Sequence, residues 1–405
     1  MAHRHDRFRV FKNDQFDFET RITLGSAYYG AADVGEVLST AARVDDGDYE
    51  SWFREWTATG ERVRGIAEEA AQGGHHVSAR EAYLRSANYL FEATGSLDGT
   101  KDPDRLVPTW RAHRDCWEEF CSRWDPPIEK VAIPYEDTEL EGFMFLADGS
   151  GETRPTLIVN NGSDGPVTST WLTAAAALRR GYNAITFDGP GQGQALWEQE
   201  IPFRPDWEAV IGPVIDFLEG RGEVDAAKIA IYGVSQAGFW VPRAAAFDDR
   251  LAAAVADPGV MDVSTSWTAH LPKSMKKLLE EGDVEKFDKQ MDFGKHFMGR
   301  AARQTLAFRA KPYGKDSVGA VFEEVEKYNL RDVVDRITLP ILITSPDGEQ
   351  FWPGQSQELY DALPGPDKTI VKFSAAEGAN WHCEPMARSL LDQRMFDWLD
   401  ERLAG

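Results

Sequence analysis

Between residues 156 and 379 the chain repeats one pattern: a short apolar run, a turn rich in small residues, then, in most cases, a stretch with helical spacing. The runs are TLIVNNG at 156–162, NAITFDGPGQG at 183–193, KIAIYGVSQAG at 228–238, LAAAVADPG at 251–259, PILITSPDG at 340–348 and TIVKFSAAEGA at 369–379. Near-continuous apolar strands must be covered on both faces, and strands alternating with helices cannot pair as simple hairpins. The pattern therefore calls for a mostly parallel sheet flanked by helices, an α/β fold. Just upstream, IEKVAIPYEDTELEGFMFLA alternates apolar and polar residues about Glu136-Asp137. That period of two predicts an antiparallel hairpin.

The flanking texture differs. Residues 1–125 read as a helical domain rich in aromatics. Asp48 is placed to cap a helix carrying Trp52, Trp56, Val63 and Ile66 at helical intervals. Ser78-Ala79-Arg80-Glu81 has the form of a capping box ahead of Tyr83, Leu84, Ala87, Leu90 and Phe91. His75 and His76 precede it and read as a solvated turn rather than as metal ligands. A second interruption, 262–335, carries helical stretches and no strand signal, and an insertion of that size reads as a lid over a site. The catalytic domain is then 126–261 together with 336–405.

With 67 Asp and Glu against 44 Lys and Arg, the 405 residues carry a formal charge of −23. Nucleic acid and anionic membranes need basic patches, so neither is an expected partner. Cys116, Cys121 and Cys383 form no disulfide framework and no zinc spacing. No apolar stretch approaches the length of a membrane span, and MAHRHDRFRVF has no apolar segment of a secretory signal. A cytoplasmic protein without metal or organic cofactor is expected.

Chemistry concentrates in Gly233-Val234-Ser235-Gln236-Ala237-Gly238, where a strand runs into a helix. A sharp turn of this kind needs small residues around the serine and raises its hydroxyl above the sheet. A serine hydroxyl needs a base and an orienting acid, and in this architecture the chain order is Ser, acid, His. His270, His296 and His382 follow Ser235; the first two fall in the insertion, leaving His382 in EGANWHCEP as the base. The acid belongs to the turn after PILIT, where Asp347 and Glu349 compete and Asp257 is a more distant alternative. The oxyanion donors expected are the N–H of Gln236 and an amide of Asn161-Gly162-Ser163-Asp164, with Gly162 allowing close approach. Asp164 reads as a cap for the following helix. Asp188-Gly189-Pro190-Gly191-Gln192-Gly193 lacks both phosphate-loop spacings and reads as a tight structural turn.

The elbow GVSQAG, the turn FDGPGQG, the segment EQFWPGQSQELYDALPGP, the loop EGANWHCEP and the N-terminal YYGAADVGEVL and GDYESWFREW together resemble one branch of the α/β-hydrolase superfamily. That branch contains 2,6-dihydroxypseudooxynicotine hydrolase, the fungal polyketide-shortening hydrolases and FrsA-like esterases. The resemblance spans nearly the whole chain. It implies a serine hydrolase with a homodimeric tendency, and several members cleave a carbon–carbon bond beside a ketone. It implies Ser235 as nucleophile and His382 as base. Its usual acid, nine residues past one proline and four before another, falls on Glu349 between Pro340 and Pro353, although several relatives have Asp. Ala237 stands where many have Gly. Trp267, Phe287, Phe293 and Phe297 are candidates to line an aromatic pocket. The expected substrate is an aryl ketone, a β-diketone or a polyketide-like small molecule. The alternatives are an ester, thioester or lactone cleaved by the same triad, or a non-catalytic binding protein on this fold.

Overall fold

The computed structural model describes residues 9–95, 97 and 100–404; the residues 1–8 of the sequence reading lie outside it. Eight strands form one sheet: β1 (Glu129–Tyr135), β2 (Thr138–Phe145), β3 (Arg154–Asn160), β4 (Asn183–Phe187), β5 (Val224–Val234), β6 (Ala253–Asp257), β7 (Ile341–Pro346) and β8 (Lys368–Phe373). Their spatial order is β1-β2-β4-β3-β5-β6-β7-β8. The β1–β2 hairpin turns at Glu136-Asp137 and joins β4 antiparallel, and every pairing from β4 onward is parallel. Each apolar run of the sequence reading became a strand, so the α/β expectation and the α/β-hydrolase topology hold.

The two faces of the sheet are served by alternate side chains, as a strand period of two requires. On β5, Ile229 and Ile231 enter one core while Ala230 and Tyr232 enter the other. The first core is closed by helices α8 (Glu208–Glu219) and α9 (Ala237–Ala245), and the second by α6 (Val167–Leu178) and α16 (Arg388–Leu403). Into that second core also pack the N-terminal helices α1 (Asp14–Gly25), α2 (Val34–Ala41), α3 (Tyr49–Gln72), α4 (His76–Thr94) and α5 (Leu106–Ser122). Trp117 of α5 meets Phe143 edge-on, with ring centroids 5.5 Å apart, and Phe120 meets Trp171 of α6 at 4.9 Å. The helical region is thus continuous with the sheet's own core. Deeper still, Tyr29 donates a 2.5 Å hydrogen bond to Asp392 of α16.

Residue 262 opens the insertion, which contains α10 (Ser264–Thr268), α11 (Lys273–Glu280), α12 (Val284–Lys295), α13 (Arg300–Ala310) and α14 (Val318–Val325). Its apolar faces, including Trp267, Phe287 and Phe322, complete the first core. Two short helices, α7 (Gly193–Trp197) and α15 (Gln355–Ala362), finish the set of α-helices. No helix of the described residues is long and apolar enough to cross a membrane.

Local signals had mixed fates. Asp48 does cap α3, accepting from the amides of Glu50 and Ser51. The capping box at Ser78 does not form: α4 begins two residues earlier, at His76, with Ser78 already inside it. The Gly73-Gly74 turn, with Gly74 at φ +75°, reverses the chain early enough for the helix to start there. Asp164 does not cap α6, whose first residue follows Pro166; it accepts instead from the Ser163 hydroxyl at 3.1 Å.

Candidate active site

Strand β5 delivers the chain to Ser235, which turns with φ +59°, a left-handed value that a non-glycine residue keeps only under constraint. The constraint is visible on each side. A Cβ at Gly233 would lie 2.5 Å from the Ala237 carbonyl, and one at Gly238 would lie 1.8 Å from that of Pro258. The Ser235 amide donates to the Asp257 carbonyl at 2.6 Å, tying the elbow to the end of β6. Fully buried Ala237 fits without conflict.

The hydroxyl so presented lies 2.9 Å from Nε2 of His382, in the loop between β8 and α16. Nδ1 of that ring lies 2.8 Å from Oε2 of Glu349, in the turn after β7. The other oxygen of Glu349 accepts from the amides of Phe351 (2.8 Å) and Trp352 (3.1 Å). Burial pushes the Glu349 carboxyl up, but the His382 ring and these two amides together outweigh it, and the group sits below the usual carboxylate range. It is ionised and fixed at both oxygens, so it selects the tautomer with the proton on Nδ1. Nε2 is then left as an acceptor facing the hydroxyl. Both side chains are 6% exposed, which shields the pair from water.

The rival acids lie elsewhere. Asp347 is exposed, and its amide is engaged by the Phe373 carbonyl. Asp257 is fully buried and accepts from the hydroxyls of Tyr232 (2.5 Å) and Thr344 (2.6 Å), away from His382. Behind the histidine loop, buried Glu384 is pushed well above the usual range, first by burial and then by Asp257. Cys383 packs inward and donates to the Asp257 carbonyl at 3.3 Å. His270 and His296 are exposed, and no cluster of potential metal ligands occurs among the described residues.

Gly162 stands against Ser235 as expected, since a Cβ there would lie 2.9 Å from the Cβ of Ser235. Its amide does not point the expected way. It donates to Oδ1 of Asn161 at 2.9 Å, so a carbonyl oxygen arriving over Ser235 must displace that bond to use it. The observed contribution of Gly162 is therefore space. Gln236 is buried, and its side-chain Oε1 lies 3.5 Å from the hydroxyl of Tyr313 in the insertion.

Three features escaped the sequence reading. Gln192, in the turn treated as purely structural, donates to the carbonyls of Asn161 (2.8 Å) and Gly162 (2.6 Å) and accepts from the Gly189 amide, so it holds the loop beside Ser235. A long polar side chain among small residues was the available signal. Phe18 of α1 approaches His382 at 6.5 Å, so the N-terminal helical region forms part of the site's wall. Phe351 and Trp352 close on the same ring at 4.6 and 5.8 Å. The proposed aromatic pocket is corrected in part. Phe293 and Phe297 are 70% and 77% exposed and meet each other, tilted at 60°, at the solvent-facing end of α12 and just beyond it. Phe287 is buried against Phe322, and Trp267 packs edge-on to Tyr313.

Hydrolase acrC of Aspergillus aculeatus is 30% identical over 433 residues, covering 98% of both chains. The α/β hydrolase xenA of Xenoacremonium sinensis is 30% identical over 95% of this chain and 96% of its own. This chain belongs to the α/β-hydrolase family. It is a hydrolase, in the branch that also holds the 20-hydroxy-prefusarin hydrolase FUS2 of Gibberella moniliformis, which is 29% identical over 98% of each chain. Among solved structures, 2,6-dihydroxy-pseudo-oxynicotine hydrolase superposes with a TM-score of 0.74 at 18% identity, over 94% of this chain and 95% of that one. No protein-family model matches the chain.

Proposed function

We propose that this hydrolase cleaves a carbon–carbon bond beside a ketone in an aryl-ketone, β-dicarbonyl or polyketide-like small molecule, through Ser235, His382 and Glu349. The observation that carries the reading is the unbroken relay of 2.9 and 2.8 Å from the Ser235 hydroxyl through His382 to Glu349, walled by Phe18, Phe351 and Trp352. The activities named for a relative, on 20-hydroxy-prefusarin, and for a structural neighbour, on 2,6-dihydroxy-pseudo-oxynicotine, support a multiply oxygenated substrate.

Oγ of Ser235 attacks the ketone carbon as Nε2 of His382 takes its proton. The oxyanion draws on the Gln236 amide, at the head of α9. On collapse the carbon–carbon bond breaks, and its electron pair passes to the departing carbon. That carbon must be delocalised as an enolate or electron-rich ring, or the bond will not break. His382 returns its proton to this carbon. Water, activated by the same imidazole, then hydrolyses the acyl-serine. A paired panel of 1,3-diketones, acylphenols and p-nitrophenyl esters tests the reading. Ketone cleavage that vanishes in Ser235→Ala supports it; fast ester turnover with no ketone cleavage rejects it in favour of esterase chemistry.

A further inference from the structure

In a chain where acids outnumber bases by 67 to 44, most buried arginines find a carboxylate. Arg309, half-buried on α13 of the insertion, does not. Its Nη2 donates to the Ser266 hydroxyl at 3.2 Å, and its guanidinium lies over the Trp267 ring at 4.7 Å. No Asp or Glu of the described residues stands within ion-pairing distance of it. A guanidinium has five N–H donors in a flat fork suited to a carboxylate, and only one of them has a side-chain partner here. Burial pulls its pKa below the usual arginine value, with only Tyr313 and Asp164 opposing. None of its nitrogens is sealed from solvent without a partner, so the rest of the fork stays open to a ligand arriving from outside the chain.

Its neighbours locate it. Trp267 meets Tyr313 at 5.5 Å, and the Tyr313 hydroxyl reaches Gln236, the residue after the nucleophile. Asp164, whose charge reaches Arg309, is two residues beyond Gly162, which rests on Ser235. Arg309 therefore faces the space above the elbow from the side of the insertion, while Phe18 and Phe351 bound the space at His382.

We propose that Arg309 anchors a carboxylate of the substrate, placing the ketone carbon over Ser235. The assignment rests on the reading of Ser235 as nucleophile, and it specifies the substrate class as an oxo acid rather than a neutral ketone. Long-range repulsion from a net charge of −23 does not prevent this, because the field is screened beyond about 8 Å at physiological salt and the guanidinium fork dominates at contact.

The test compares two esters of equal shape, mono-p-nitrophenyl glutarate and p-nitrophenyl pentanoate, with wild type, Arg309→Met, Arg309→Lys and Asp164→Asn. Arg309→Met should lower kcat/KM for the glutarate by about 10- to 100-fold, mainly through KM, and change the pentanoate by no more than about 2-fold. Arg309→Lys should fall between, because a point charge replaces the fork. Equal losses on both esters in Arg309→Met and Asp164→Asn would instead make Arg309 a closing contact to Asp164 and overturn the anchor. Equal glutarate rates in wild type and Arg309→Met would overturn it as well. If neither ester turns over, the nucleophile reading is judged by the ketone panel above, and the anchor is read by calorimetric titration of 4-hydroxybenzoate. Binding lost in Arg309→Met upholds the anchor, and unchanged binding refutes it.

Discussion

Replacing Glu349 by glutamine changes one oxygen to an amino group, and the surroundings dictate where that group goes. One carboxylate oxygen takes two backbone donors at 2.8 and 3.1 Å, and the other takes His382 Nδ1 at 2.8 Å. Turning the amino group toward Phe351 and Trp352 would set it donor to donor against both amides and forfeit two hydrogen bonds, at a cost of about 1 kcal/mol each. The carbonyl therefore stays with those amides, and the amino group faces Nδ1. Nδ1 must then accept, the ring proton moves to Nε2, and Nε2 becomes a donor toward a hydroxyl it needs to deprotonate. A wrong tautomer of this kind costs about 10⁴ in kcat, equivalent to about 5 kcal/mol. The exposed Asp347 offers a control: Asp347→Asn should stay within about 2-fold of wild type. Initial rates on any turned-over substrate, with thermal unfolding to verify folding, decide the matter. A Glu349→Gln enzyme retaining a tenth of its kcat, or an Asp347→Asn enzyme losing three decades, would refute the assignment.

Further outcomes follow from the same geometry. Gly162→Ala places a Cβ 2.9 Å from both the Ser235 Cβ and the Val234 carbonyl, so the displaced nucleophile should cost about 10²-fold in kcat while the fold survives in circular dichroism. Gln192→Ala removes the side chain that holds the Asn161 and Gly162 carbonyls, and kcat should fall by about 10-fold or more, with KM little changed, in steady-state assays. His113 is fully buried, donates from Nδ1 to the Ala87 carbonyl at 2.8 Å, and is held down to about 3 by burial. Its folded pKa is depressed, so the unfolded chain binds the extra proton first. Stability present above about 6.5 is lost as pH falls, reaching roughly 2 kcal/mol at pH 5. Denaturant titrations of wild type and His113→Gln at pH 7.5 and 5 should show this difference, with the variant's acid loss smaller by that amount. Glu92, pushed up to about 8 by burial, works in the opposite sense. Its contribution is full below about 4.5 and lost as pH rises toward 8, so Glu92→Gln should flatten the alkaline decline in melting temperature.

How far the sequence reached depends on the range of the forces involved. Strand identity was legible because a doubly covered parallel strand must be apolar throughout, and the elbow because steric crowding at Gly233 and Gly238 admits almost nothing else. Chain order pointed to His382, whereas Glu349 was favoured over Asp347 only by the acid position that the α/β-hydrolase resemblance implies. What stayed hidden was set by tertiary neighbours. Nothing local to Phe18 says that α1 would fold back to His382, and nothing local to Gly162 says that Asn161 would take its amide. The Phe293 and Phe297 pair fits a buried stripe by composition alone, yet both rings face solvent at the C-terminal end of α12. The capping motif at Ser78 lost to a glycine turn five residues before it.

The central claim is that carbon–carbon cleavage proceeds through an ester on Ser235. Rapid quenching of turnover on a 1,3-diketone acid, followed by peptide mass spectrometry, tests it directly. The account predicts an acyl adduct on the peptide containing Ser235, matching the cleaved acyl fragment and absent in Ser235→Ala. Full ketone cleavage by Ser235→Ala, or an adduct mapped to another residue, would contradict it.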